Sequence, residues 1–232
     1  KMFIFSSPCN PTGTVYTKEE LGALASVFAK YKDLTILSDE IYEHINFVGK
    51  HESIAQFDAL KDRVVVVNGV SKGYAMTGWR IGYIGAPLQI AKACDKMQGQ
   101  FTSAASSIAQ KAAMIALSEN TSDMKNMVES FKRRRDLVLN MLKEIKGMKL
   151  NTPDGAFYVF PDISYYFGKT DGKTTIKNPS DLCMYLLNDA KVSLVTGEAF
   201  GDNNCVRFSY ATSDELLVEA CKRLKLSLDK LQ

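Results

Sequence analysis

A serine, a lysine and an arginine stand close together in the first half of the chain. Ser71 and Lys72 are adjacent, and Arg80 follows eight positions after the lysine. An unprotonated lysine amine is a nucleophile toward carbonyl groups. A hydroxyl and a guanidinium are suited to hold a phosphate. These residue types at this spacing indicate a site for a phosphorylated aldehyde, in which the amine condenses with the aldehyde and the other two groups hold the phosphate.

A predicted buried strand positions the lysine. Four consecutive valines, Val64 to Val67, favour a strand that is covered on both faces. The small-residue turn from Asn68 to Val70 then brings Lys72 to the exit of that strand. Ligands of open α/β sheets bind outside the carboxyl ends of the strands, so Lys72 is expected at the binding edge of a sheet.

Two other predicted strands are followed by polar residues. Met2 to Phe5 is predicted as a buried strand, and the turn-rich loop after it contains Asn10. Leu34 to Ser38 is predicted as the next strand, and Asp39 follows it directly. A helix between these strands would complete a right-handed βαβ unit with a parallel sheet. We therefore expect Asn10, Asp39 and Lys72 at the same edge of the sheet.

The segments around these three positions resemble the motifs of a known enzyme family. Class I and II aminotransferases, which have fold type I and use pyridoxal 5'-phosphate (PLP), carry similar segments in the same order. The resemblance runs along nearly the whole chain and rests on three segments: Asn10-Pro11-Thr12-Gly13, Ser38-Asp39-Glu40-Ile41-Tyr42 and Ser71-Lys72-x-Tyr74-x-x-x-Gly78-x-Arg80.

The resemblance implies that Lys72 is the catalytic residue and forms a Schiff base with PLP. It also implies that Asp39 pairs with the protonated pyridine nitrogen of PLP. A carboxylate in that position raises the pKa of the nitrogen and keeps it charged. The charged ring can then accept electrons from a carbanion.

Four further positions match cofactor-binding residues of the family. The resemblance implies that the Asn10 amide and the Tyr42 hydroxyl form hydrogen bonds with the ring hydroxyl oxygen of PLP. It implies that Ser71 and Arg80 anchor the phosphate. Glu40 could be a second acid, but a solvent-facing turn residue is the favoured interpretation.

An arginine stands within a predicted strand near the end of the chain. Arg207 lies between Val206 and Phe208, where an unpaired charge would be costly. The resemblance implies that Arg207, together with Asn10, binds the α-carboxylate of the substrate. A structural salt bridge is the alternative explanation for a charge at this position.

Composition and charge exclude several classes of partner. The 232 residues carry a net charge of +3, too weak to indicate a nucleic-acid or membrane partner. No apolar run approaches the roughly 20 residues that a membrane span needs. Five cysteines are dispersed without CxxC pairs, which favours reduced thiols in the cytoplasm. His44 and His51 have no ligand cluster around them in the sequence, so no metal site is predicted.

The pattern of elements predicts an α/β fold with two domains. Residues 1–146 are predicted to form the PLP-binding portion of the large domain, with a mostly parallel doubly wound sheet. The family has one antiparallel strand after the lysine, and the short connection from Lys72 to a strand at Ile81 to Gly85 suits it. Residues 147–232 are predicted to form an α+β small domain. Its elements are strands at Ala156 to Phe160, Val192 to Val195 and Cys205 to Ser209, and helices at Pro179 to Ala190 and Ser213 to Leu231, with Ser180 and Ser213 as N-caps.

The first residues favour a piece of a longer protein. Lys1 stands where a methionine would begin a chain, and a predicted strand follows at once. The resemblance corresponds to roughly the C-terminal three-fifths of the family's length. It implies that the helix start at the phosphate and the aromatic ring stacked on PLP lie outside this sequence. We therefore expect this piece alone to bind PLP weakly and to have little or no activity, and the full-length form to be a homodimer.

The predicted activity is the transfer of an amino group from an L-amino acid to a 2-oxo acid. The segments around Asp39 and Arg80 are most similar to the prokaryotic aspartate aminotransferases of the family, which favours aspartate as the donor. Two alternatives stay open: a PLP-dependent β-lyase or synthase of the same fold, and the effector domain of a PLP-binding transcription regulator. A nucleotide-binding domain is disfavoured because the sequence has neither a GxGxxG segment nor a complete P-loop.

Overall fold

The computed structural model describes residues 1–119 and 122–232. These residues form an α/β fold, in which a mostly parallel sheet and an antiparallel sheet are accompanied by helices. The predicted fold class is therefore confirmed. Among the described helices, none has both the length and the apolar character that crossing a bilayer requires.

The chain divides into two compact units. The first unit comprises Lys1–Cys9 and Thr14–Val128, and the second comprises Asn10–Gly13 and Glu129–Gln232. The division lies inside a long helix, whereas the sequence places the domain boundary at residue 146. That boundary stays a prediction, because compactness does not test where each domain would fold independently.

The first unit is built on a four-stranded sheet. Its strands, β1 (Met2–Ser6), β2 (Thr35–Asp39), β3 (Val64–Gly69) and β4 (Gly82–Gly85), follow one another in sequence order across the sheet. β1, β2 and β3 are parallel, and β4 runs antiparallel to β3. The antiparallel strand expected after Lys72 is therefore present. A connection this short could not cross over to a parallel strand.

Helices flank these strands in the sequence. They are α1 (Lys18–Phe28), α2 (Leu88–Phe101), α3 (Ser107–Ser118) and α4 (Ser122–Lys143), of which α4 spans the division between the units. α1 begins with a capping box: the Glu20 N–H donates to Thr17 Oγ1 at 3.2 Å, and the Thr17 N–H donates to Glu20 Oε2 at 2.8 Å. Leu21, Ala25 and Phe28 then face the core of the unit.

The prediction that the first strand is buried was wrong, because every residue of β1 is exposed or half-buried. Phe3 and Phe5 pack on one face, with the Phe3 ring 4.9 Å from the Phe28 ring of α1. Met2 and Ile4 point to the other face and are 58% and 64% exposed. β1 is an edge strand, and side chains alternate between the two faces of a strand. An apolar run therefore predicts the strand but not whether both of its faces are covered.

The second unit has a small antiparallel sheet and two helices. The strands β5 (Tyr158–Val159), β6 (Val195–Thr196) and β7 (Val206–Ser209) are ordered β5-β7-β6, and the helices are α5 (Pro179–Asp189) and α6 (Asp214–Leu228). The strand predicted at Ala156 to Phe160 is shorter than expected, and the one predicted at Val192 to Val195 begins later. Both strands contact β7 through only two residue pairs each, so little backbone pairing extends them.

The predicted N-caps of the two helices differ in outcome. Ser213 caps α6 as predicted, because its side chain accepts from the Leu216 N–H at 3.4 Å. For α5 the prediction of Ser180 was wrong, since Asn178 is the cap and accepts from the Asp181 N–H at 2.8 Å. Pro179 occupies the first helical turn after it, where the missing proline N–H costs nothing.

A short piece of the N-terminal loop belongs to the second unit. The Gly13 carbonyl accepts hydrogen bonds from the N–H groups of Asp154 and Gly155, both at 2.9 Å. The Asn151 side chain donates to the Thr12 carbonyl at 2.6 Å. These bonds anchor the segment that contains Asn10 to the second unit.

Gly13→Ala is expected to destabilise the second unit. Gly13 has a φ of +69°, and a Cβ there would lie 2.5 Å from Pro153 Cβ and 2.7 Å from the Gly155 carbonyl oxygen. We expect a loss of about 2–4 kcal/mol in the free energy of unfolding, from about 1–2 kcal/mol of backbone strain plus the clash. Urea unfolding followed by circular dichroism measures this loss.

Gly168→Ala is the matched control for that variant. Gly168 also has a positive φ, +84°, but a Cβ added there would meet no atom within 4 Å. The free energy of unfolding of Gly168→Ala should therefore fall only by the backbone strain, about 1–2 kcal/mol. Equal losses in the two variants would show that the close approach of Gly13 to Pro153 does not constrain the loop.

Candidate active site

Asp39 ends β2 at the carboxyl edge of the parallel sheet. Its Cα pairs with Val67 of β3, and its backbone carbonyl accepts from the Ser7 N–H at 3.2 Å. Its side chain accepts from the Ile41 N–H at 3.1 Å, which closes a tight turn directly after the strand. The carboxylate is half-buried, and both neighbouring strands fix the backbone that carries it.

Lys72 and Tyr42 lie next to each other. Lys72 follows β3 by three residues and is half-buried. Its Nζ lies 5.9 Å from the centre of the Tyr42 ring, and Tyr42 is only 4% exposed. The structure thus brings together the amine and the phenol that the sequence assigned to one ligand.

The loop after Asp39 also packs directly on the segment that contains the lysine. A Cβ on Gly73 would lie 2.5 Å from Cδ2 of His44, so the imidazole rests against a bare backbone. The His44 ring meets the Tyr74 ring edge-on at 5.3 Å. Because Gly73 is adjacent to Lys72, the position of His44 constrains the backbone of the lysine.

Arg80 stands in strained backbone beside a large pocket. Arg80 and Ala75 have φ values of 52° and 53°, in the left-handed region that costs non-glycine residues energy. Nη1 of Arg80 donates to the Thr77 carbonyl at 2.8 Å. Both strained residues line a pocket of about 920 Å³, together with Trp79 and residues of α2, α3 and their connection. Ser71 is not among the described residues that line this pocket, so the pairing of Ser71 and Arg80 on one phosphate stays a prediction.

Charge near this loop comes from Glu43. A hydrogen bond with His44, at 3.2 Å, holds the pKa of the Glu43 carboxyl below its ordinary value, although burial opposes the shift. Burial in turn raises the pKa values of Tyr74 and Tyr83, and the negative charge of Glu43 adds to both shifts. The two phenols therefore stay protonated beside an ionised carboxylate.

The interpretation of Glu40 as a solvent-facing residue was wrong. Glu40 is 3% exposed and accepts three hydrogen bonds: Oε1 from the hydroxyls of Ser38 and Ser53 at 2.9 and 2.6 Å, and Oε2 from Nε2 of His51 at 2.9 Å. A carboxylate can be buried when such donors replace water. The signal available in the sequence was the spacing of Ser38 and Glu40, because side chains two residues apart in extended backbone share one face.

Glu40, Glu43 and His51 bring ligand atoms within 4.8 Å of one another. The sequence did not reveal this grouping, because the three residues are separated by loop. Hydrogen bonds account for it, since Glu40 already accepts from His51 and from two hydroxyls. We assign no metal to it.

The second unit pairs the two residues predicted to bind a carboxylate. Nη1 of Arg207, on β7, donates to Oδ1 of Asn10 at 2.8 Å. Its guanidinium carbon lies 4.5 Å from the ring centre of Tyr158 and 5.0 Å from that of Phe200. The buried Nε has no hydrogen-bond partner among the described residues.

The structural salt bridge that was the alternative for Arg207 is therefore not formed. No carboxylate of the described residues pairs with its guanidinium, whereas other arginines of the second unit do have acidic partners, such as Arg223 with Glu219 at 2.8 Å. The stacking on Tyr158 and Phe200 was missed at the level of sequence, although both aromatic residues belong to segments near predicted strands. An arginine stacked on rings, with unused donors, is suited to bind a carboxylate.

Comparisons with known proteins show which family the chain belongs to. The sequence profile of the family described as aminotransferase class I and II matches residues 1–224. A bifunctional aspartate aminotransferase and glutamate/aspartate-prephenate aminotransferase of Petunia hybrida is 47% identical over 98% of this chain and 49% of its own length. An aspartate/prephenate aminotransferase of Cereibacter sphaeroides is 46% identical over 97% of this chain and 57% of its own length.

The fold agrees as well. The crystal structure of the aspartate aminotransferase from Rhizobium meliloti superposes with a TM-score of 0.95 at 43% identity, covering 100% of this chain and 58% of that one. The chain spans about half the length of the curated relatives it matches. It belongs to the class I and II aminotransferase family.

Proposed function

We propose that this chain is the part of a PLP-dependent aminotransferase that carries the cofactor lysine and the arginine for the substrate carboxylate. The observation that supports this best is Lys72, whose amine lies 5.9 Å from the Tyr42 ring just beyond the sheet edge where Asp39 ends β2. The reaction is the transfer of an amino group from an L-amino acid to a 2-oxo acid. Aspartate is the proposed donor, because the relatives named above are aspartate aminotransferases.

The side chains fit the functional groups of PLP. The aldehyde needs an amine, which Lys72 supplies, and the pyridine nitrogen needs an acid, which Asp39 supplies. The ring hydroxyl oxygen needs donors, and Tyr42 and Asn10 have them. The phosphate needs cationic and hydroxyl partners, the role proposed for Arg80 and Ser71. PLP, when bound, supplies an electron sink that stabilises negative charge at the substrate Cα.

Each residue then has a task in the reaction. Lys72 would move the proton at the substrate Cα, and the buried Tyr42 limits the water around the lysine amine. Asp39 keeps the pyridine nitrogen protonated, which makes the Cα proton more acidic. Asn10 holds Arg207 in place through the hydrogen bond between them. Arg207 would orient the substrate by binding its carboxylate.

We propose the substrates, the oligomeric state and the cellular compartment of the whole protein from its relatives and its composition. Names of relatives include prephenate, so prephenate is a second proposed 2-oxo acid acceptor besides 2-oxoglutarate. The full-length form is proposed to be a cytoplasmic homodimer. A β-lyase or synthase and a PLP-binding regulator are the alternatives. Glutamate formation from aspartate and 2-oxoglutarate separates transamination from both.

Lys72→Ala is expected to abolish the covalent attachment of PLP. Incubation of the full-length protein with PLP, reduction with borohydride and peptide mass mapping should place the modification on Lys72 in the wild type and nowhere in the variant. Loss of the general acid and base should lower transamination at least about 100-fold. Lys61→Ala is the matched control, because Lys61 is an exposed lysine of the same unit. Modification of another lysine in the wild type would contradict the proposal.

Arg207→Lys is expected to weaken the binding of amino acids while leaving PLP attached. Lysine keeps the charge but loses the planar fork and its stacking on Tyr158 and Phe200. Loss of a charged hydrogen bond costs about 1.5–3 kcal/mol, so KM for aspartate should rise about 10- to 100-fold. Arg223→Lys is the control, since Arg223 forms an exposed ion pair with Glu219. An unchanged KM for aspartate in Arg207→Lys would refute the role of Arg207.

A further inference from the structure

The buried carboxylate of Glu40 has no role in the reaction described above. It lies one residue after Asp39 and is 3% exposed, which makes it the most deeply buried acidic residue of those described. Each of its oxygens is occupied: two hydroxyls donate to Oε1, and the imidazole of His51 donates to Oε2. Burial of a carboxylate costs free energy, which the hydrogen bonds to Glu40 must offset. The segments that these bonds connect therefore indicate what Glu40 does.

The donors to Glu40 come from both sides of one loop. Ser38 belongs to β2, whereas His51 and Ser53 lie 11 and 13 positions after Glu40. Ser53 also caps a short 3₁₀-helix at Ile54–Gln56, because its Oγ accepts from the Ala55 N–H at 3.2 Å. Glu40 thus joins the end of a sheet strand to the start of a helix and closes the loop formed by residues 41–50.

That loop holds the groups proposed to contact the cofactor ring. Its first residue, Ile41, donates its N–H to the Asp39 carboxylate. Tyr42 follows and lies beside the Lys72 amine. His44 then rests against Gly73, next to the lysine. A shift of the closed loop would therefore move the ring-nitrogen partner, the ring-oxygen partner and the lysine backbone together.

We propose that Glu40 is a positioning residue for the cofactor: through Ser38, His51 and Ser53 it clamps the loop that aligns Asp39, Tyr42 and Lys72. This inference rests on the proposed function and deepens it. Glu40 lies one residue beyond β2, and its carboxylate bonds to Ser38, whose side chain is on the opposite face of the strand from Asp39. It acts through the loop and does not touch the cofactor.

The test compares variants of Glu40 in the full-length protein. Glu40→Ala removes all three hydrogen bonds, whereas Glu40→Gln keeps an acceptor oxygen for the two hydroxyls and can donate to His51. In Glu40→Ala we expect PLP affinity to fall about 10-fold or more and kcat about 10- to 100-fold, with KM for aspartate changed less than about two-fold. Glu40→Gln should restore most of both values.

Two further readouts do not depend on activity. Hydrogen exchange of the cofactor-free protein should show faster exchange at the amides of Ile41 and Glu43 in Glu40→Ala, because both bond within the clamped turn. The pH midpoint of the visible absorption band of bound PLP should shift in Glu40→Ala, because that midpoint reports the environment of the lysine and the ring.

A matched glutamate separates positioning from stability. Glu20 also accepts a backbone hydrogen bond in the first unit, but at the start of α1. Glu20→Ala should lower the melting temperature without changing PLP affinity or the absorption midpoint. If Glu40→Ala likewise lowers only the melting temperature, Glu40 is structural and the proposal is overturned.

A second variant and the borohydride experiment cover the remaining outcomes. If Glu40→Ala does not fold, Ser53→Ala decides, because it removes one of the three bonds and leaves the carboxylate in place: PLP affinity about three-fold weaker supports the clamp, and unchanged affinity overturns it. If the wild type forms no borohydride-stable adduct at Lys72, the proposed function fails. Normal adduct formation with unaltered Glu40 variants contradicts only the positioning role.

Discussion

Pairing of three parallel strands in register is the constraint on which the first unit depends. Ser6 pairs with Asp39 across β1 and β2, and Asp39 pairs with Val67 across β2 and β3. Because these strands end at the same edge, the acid and the turn carrying Lys72 are delivered together by backbone hydrogen bonds alone. A slip of one residue in β2 would reverse its faces and exchange the environments of Asp39 and Glu40.

The parts of the structure that depend on local pattern could be predicted from sequence. The valine run of β3, the short link to an antiparallel β4 and the order of polar residues at strand ends all emerge from nearby residues. Burial could not be predicted in the same way. Glu40 is buried because His51 and Ser53, 11 and 13 positions later, return to it. No residue of β1 is buried, and an apolar composition does not reveal that.

In the second unit, too, a contact between residues far apart in the sequence could not be predicted from local pattern. Asn10 and Arg207 are 197 positions apart, and no periodicity connects them; only the resemblance to a family assigned them to one ligand. The structure supplies the physical reason for their pairing, because the backbone of Thr12 and Gly13 is hydrogen-bonded to this unit. The prediction of the α5 N-cap failed for a simpler reason. Asn178 and Ser180 are both good N-cap residues, and Pro179 between them favours a helix that begins after Asn178.

The buried Glu40 and the half-buried Arg207 differ in how much of their hydrogen-bond capacity the protein itself uses. Both oxygens of Glu40 are occupied by donors from the protein, so this carboxylate has little capacity left for a ligand. Arg207 has one hydrogen bond to an amide, two aromatic rings and an Nε without a partner among the described residues. Buried polar groups are nearly always satisfied in folded proteins, so the partners of a buried charge show how much of its hydrogen-bond capacity is already used. This difference in hydrogen-bond capacity is the physical argument for the two proposed roles, and it does not depend on any motif.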